Sequence, residues 1–76
     1  MKLSAKLVQL ERENDNALIR FWEAVEFVAR CKRELYGNET YRALAAKLAT
    51  AEYEREQIER EMAAARLAYL KEKVKR

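Results

Sequence analysis

Apolar side chains in the first half of the chain fall at Leu3, Leu7, Leu10, Ala17, Phe21, Ala24, Val28, Cys31 and Leu35, alternately three and four residues apart, with Asn14 in the one polar slot. This spacing keeps one face of an α-helix in line with a neighbouring helix, whereas a strand would alternate every second residue. Leu18, Trp22 and Val25 widen the stripe to one side, as in a bundle helix. In the second half Tyr41, Leu44, Leu48, Ala51, Ile58, Met62, Ala65 and Tyr69 repeat the pattern, with Arg55 in the interrupted slot.

Between the two stripes Tyr36-Gly37-Asn38-Glu39-Thr40 is the only stop signal. Gly37 suits the left-handed position after a helix, and Asn38 or Thr40 suits the N-cap of the next. The spacing therefore predicts one domain over residues 1–76: helix one over about 3–36, a turn at 37–38 and helix two over about 39–75. So short a turn makes the helices antiparallel, each about 50 Å long at 1.5 Å per residue. Folding about Gly37 sets Asn14 opposite residues 59–62. Asn14-Asp15-Asn16 has poor helix propensity, so helix one is expected either to run through it or to split there. Asn14 and Arg55 are candidate polar-layer residues that fix register.

The fold class is all-α: a long antiparallel two-helix hairpin, coiled-coil-like, completing a four-helix bundle by dimerisation or by binding a partner. Seventy-six residues bury too little surface for a comfortable core. Val8, Ile19 and Phe27 fall away from the main stripe of helix one, while Ala63, Leu67, Leu70 and Val74 form a second apolar line on helix two. A two-helix hairpin cannot cover two faces of one helix. The candidate partner-binding residues are Ile19, Trp22, Phe27, Tyr53, Leu67, Leu70 and Val74, with a second copy or another protein as occupant.

Composition narrows the chemistry. There is no His, which removes Ser-His and Cys-His nucleophile pairs and the commonest general base and metal ligand. Carboxylate pairs on Mg²⁺ remain, with Glu23 and Glu26 facing Glu52, Glu54, Glu56 and Glu59, but such pairs recur in any charged helix. The expectation is a protein that is not an enzyme and takes no cofactor or metal. Cys31 cannot form an internal disulfide and falls on the inward stripe, as a small buried hydrophobe. Without an apolar leader or a membrane-length run, the expected location is the cytoplasm.

Sixteen Lys and Arg against thirteen Asp and Glu give a net charge of +3, distributed in bands. Residues 52–61 carry five Glu against two Arg, facing Glu11, Glu13, Asp15, Glu23 and Glu26, so the waist is acidic. Lys2 and Lys6 meet Lys71, Lys73, Lys75 and Arg76 at the open end, and Arg30, Lys32, Arg33, Arg42 and Lys47 gather near the turn. Glu26 with Arg30 and Glu56 with Arg60 have the i,i+4 spacing that supports a helix. A nucleic-acid binder needs a contiguous positive stripe, which the waist interrupts.

Cys31-Lys32-Arg33-Glu34-Leu35-x-Gly37, followed by an aromatic-led helix from Tyr41, resembles the small helical-hairpin co-chaperones of the type III secretion needle subunit over residues 17–51. The resemblance implies a hairpin that pairs with a helical-repeat chaperone. Leu35-Tyr36-Gly37 is also similar to the Trp-x-Gly turn of small type VII secretion substrates, with Tyr in place of Trp. The expected function is a protein–protein interaction module: an adaptor, co-chaperone or inhibitor of a larger protein. Two alternatives stand beside it, a Rop-like dimeric hairpin gripping RNA through its basic ends and a phage-encoded inhibitor of a host or defence protein.

Overall fold

A computed structural model describes residues 2–38 and 40–75, with side chains from Ala5 onward. The side chains of Lys2 and Leu3, and residues Glu39 and Arg76, lie outside the described set. Two helices, α1 (Lys2–Leu35) and α2 (Arg42–Val74), pack antiparallel as a rod of 58 × 13 × 13 Å, and no strand occurs among the described residues. α1 runs unbroken through Asn14-Asp15-Asn16. Packing on both sides, at half-buried Leu10 and buried Ala17, outweighs the poor local propensity there.

The connection is longer than a turn at 37–38, because helix two begins three residues later than the spacing predicts. Gly37 takes φ +83°, and a Cβ there would meet no atom within 4 Å, so backbone conformation alone selects glycine. Asn38 turns back towards α1: its amide N donates to the carbonyl of Leu35 (2.7 Å) and its Nδ2 to the carbonyl of Glu34 (3.2 Å). That side chain caps the end of α1 and is not the N-cap of α2. The N-cap is Tyr41, in extended backbone (φ −84°, ψ 100°) with no side-chain cap bond, so Thr40 does not fill the role either. Tyr41, expected to open the second apolar stripe, stands exposed.

The later start moves the register. Lys47 pairs with Glu34 (3.3 Å), Arg20 with Glu61 (2.8 Å), and the Tyr69 hydroxyl donates to Glu11 (3.2 Å). Asn14 therefore lies level with Arg66, not with residues 59–62. The acidic bands shift likewise: Glu11 stands beside Tyr69, while the Glu-rich stretch of α2 faces residues 20–29.

The seam is narrow. Val28, Cys31 and Ala51 form its buried centre with Leu48 packed against them, and Ala17 is buried nearer the open end. Cys31, at 2% exposure, is the most enclosed side chain. Small residues at these positions let the two backbones approach, but they bury little apolar area. At the open end the 3-4 spacing continues from Ala65 and Tyr69 to Glu72, which is 9% exposed and paired with Lys6 (3.5 Å) and Lys75 (3.6 Å).

Candidate docking faces

Eleven large hydrophobic side chains are exposed among the described residues, against four buried apolar ones, none larger than Val28. The accessible surface is 6,020 Å², whereas a compact monomer of 9.0 kDa is expected to expose about 4,900 Å². The excess, about 1,100 Å², exceeds the roughly 800 Å² that one partner contributes to a standard protein interface. The radius of gyration, 17.1 Å against about 11 Å for a compact chain of this length, has the same cause. Among the described residues no third element covers the outer faces of the pair.

The candidate partner residues divide into three patches. Ile19, at 57% exposure, and Trp22, at 60%, stand on the outer side of α1, with Leu18 beside them and Val8 further along. Phe21, half-buried at the seam, meets the edge of Trp22 at 5.4 Å and holds the indole against the helix. Phe27 is five positions from Trp22, about 140° around the helix, and belongs to the other flank. Expected to point away from helix two, it instead leans along it, with Lys47 Nζ 5.7 Å from the ring centroid and Arg30 Cζ at 6.0 Å. A shallow groove beside it runs between Ala43, Ala46 and Thr50.

Tyr53, Leu67, Leu70 and Val74 form the third patch, on the side of α2 opposite the seam, with Ala63 in the same line. α2 thus carries apolar side chains on two nearly opposite faces, and only one of them meets α1. Asn14 and Arg55 are both half-buried. They are not level: Arg55 lies opposite Glu26, about 18 Å along the axis from Asn14. Sequence reading missed Glu72 as an inward position, although its spacing from Tyr69 gives the signal.

Charges are partly neutralised within the chain. Glu26 and Arg30 form their i,i+4 pair at 3.2 Å. Glu56 and Arg60, at the same spacing, form no ion pair with each other and stand exposed. At the open end Glu72 sits among the described lysines, and near the turn Glu34 holds Lys47, so a carboxylate stands among the described cations at each end. No group of three Cys, Asp or Glu side chains converges to hold a metal ion among the described residues, and Glu23 and Glu26 are exposed apart from any such group. No helix among them is long and apolar enough to cross a membrane. Set against protein-family models, characterised proteins and solved structures, the chain matches none.

Proposed function

We propose that the protein is a non-enzymatic interaction module of the cytoplasm, which acts as an adaptor, co-chaperone or inhibitor by laying its outer helix faces against another protein. The observation that carries the reading is the set of large hydrophobic side chains left exposed on the outer faces, on a rod whose total accessible surface is about 1,100 Å² above that of a compact monomer of this mass. Trp22 is the natural anchor: a large aromatic, braced by Phe21, beside Ile19 and Leu18 on one helix face. Helix-in-groove recognition uses such i, i+3, i+4 apolar sets, and the rigid hairpin presents this one without an ordering cost. The interrupted basic ends favour protein over RNA as the target, with charge setting orientation and association rate.

The test is photo-crosslinking in the producing cell from a reactive side chain at Trp22, compared with the same probe at Arg12. A discrete protein adduct at Trp22, absent at Arg12 and lost when Ile19→Asp is added, is the expected result. Adducts equal at both positions, or RNA adducts whose yield falls steeply with salt, overturn it.

A further inference from the structure

The outer face of α2 is a complete second heptad seam. Starting from Val74 and stepping back alternately by four and three, the line passes through Leu70, Leu67, Ala63, Arg60, Glu56, Tyr53, Ala49 and Ala46. Every one of these side chains is exposed, and the line lies across the helix from the positions that meet α1, with Ala46 at its end bordering the groove beside Phe27. It spans about 42 Å at 1.5 Å per residue, nearly the whole helix. A 3-4 repeat of this length wants a partner helix with the same supercoil, and α2 itself has it.

The seam is complementary to itself in one direction only. Its two charged positions, Glu56 and Arg60, straddle the height of Ile58. If two copies cross antiparallel about that height, Glu56 of each faces Arg60 of the other, and both charges, in no ion pair among the described residues, are matched. The same register sets Tyr53 against Ala63, Ala49 against Leu67 and Ala46 against Leu70, so these three large side chains each meet an alanine, while Val74 falls level with Arg42 at the start of the helix. These are the a-to-d layers that antiparallel coiled coils form. On the rim Glu52 meets Arg66 twice, while the two Glu59 approach each other at the solvent edge, where screening is strongest. A parallel, in-register pair does the reverse: Glu56 meets Glu56, Arg60 meets Arg60, Ala46 and Ala49 leave a gap, and the large residues crowd the opposite end. Resting on the reading of the outer faces as docking surfaces, we infer that α2 pairs antiparallel with α2 of a second copy about Ile58. The product is a flat four-helix layer in the order α1, α2, α2, α1, with Ile19 and Trp22 of both copies left open for another protein.

Light scattering on the full chain and on charge-reversed variants tests this. The native protein is expected at twice 9.0 kDa. Glu56→Arg alone and Arg60→Glu alone each place like charges across the axis and should weaken the dimer at least tenfold, with helicity retained because both side chains are outside the hairpin seam. An equimolar mixture of the two should regain the native dimer. In a Cys31→Ala background, single-cysteine variants Tyr53→Cys and Ala63→Cys should cross-link with each other when mixed, but not each with itself. A native monomer at tens of micromolar, a dimer indifferent to both charge reversals, or self-cross-linking at position 63 overturns the pairing. A monomer that still forms the Trp22-dependent adduct overturns the pairing while leaving the docking reading intact; a dimer without that adduct does the opposite.

Discussion

Arg20 Nη1 lies 2.8 Å from Glu61 Oε1, and this bridge between the helices ties the middle of α1 to the Glu-rich stretch of α2. Both side chains remain about half exposed. The bond marks the register without supplying much of its energy, since exposed pairs contribute about 0.2–1 kcal/mol. In a double-mutant cycle with Arg20→Ala and Glu61→Ala, chemical denaturation should give a coupling below about 1 kcal/mol that shrinks in high salt. A larger coupling, insensitive to salt, would mean that the pair is desolvated by something outside the hairpin.

Register is set instead by the small-residue centre, where Cys31, Val28 and Ala51 meet. Ala51 has no room to grow, so Ala51→Leu should cost about 1–3 kcal/mol by forcing the helices apart. The Cys31 thiol reports the same closeness: it should resist alkylation in the native protein and react only through opening of the hairpin. Alkylation at the rate of a free thiol in native buffer, with helicity intact, would show that the seam does not close around residue 31.

The two helices, their antiparallel order and the burial of Cys31 were legible in the sequence, because 3-4 spacing over more than thirty residues has no other cheap interpretation. The exposure of Val8, Ile19, Tyr53, Leu67, Leu70 and Val74 followed from the same wheel geometry, whereas Leu18 and Trp22, read as widening the inward stripe, stand exposed. The turn was legible only in part. Gly37 announced itself, but Asn38 had two chemically equivalent choices, an N-cap for the next helix or a cap on the last, and the Glu34 carbonyl took it. A slip of a few residues there moves the partner of every α1 residue, which is why Asn14 faces Arg66 and not the acidic waist. Glu72 was overlooked because a carboxylate is rarely expected at an inward slot, and its pairing with Lys6 comes from the other helix.

α2 starts without a side-chain cap, although Tyr41 already has the extended backbone of an N-cap residue. Tyr41→Asp should therefore supply an acceptor for the free amides of the first turn and a favourable charge at the positive end of the helix dipole. The expected gain is about 1 kcal/mol, or a rise in Tm of about 4–8 °C for a domain of this size. Tyr41→Leu, with no acceptor, should leave Tm nearly unchanged, which separates capping from the loss of an exposed aromatic ring.

Gly37 tests the other side of the connection. With φ at +83° and open space around an added Cβ, Gly37→Ala should destabilise by about 1 kcal/mol through backbone strain alone. Gly37→Asn should cost less, because asparagine tolerates the left-handed region. If alanine were neutral in thermal melts, the chain would be reaching α2 by a different turn, and the register of the hairpin would differ with it.

Glu72 sits in the last inward slot of α2, enclosed to 9% exposure with Lys6 at 3.5 Å and Lys75 at 3.6 Å. Burying a carboxylate costs solvation that ion pairs to flexible, mostly exposed side chains such as Lys6 and Lys75 repay only in part. A leucine of similar size at this position would extend the apolar seam by one layer beyond Tyr69. Glu72→Leu should therefore be neutral or stabilising, with an upper bound of about 4 kcal/mol set by comparable replacements of buried ion pairs. Lys6→Ala, by contrast, removes a lysine that pairs with the buried charge and should destabilise slightly, more at low salt than at high. Denaturant midpoints of the two variants at low and high salt settle the sign. Loss of more than 1 kcal/mol in Glu72→Leu would show that the carboxylate holds the open end together.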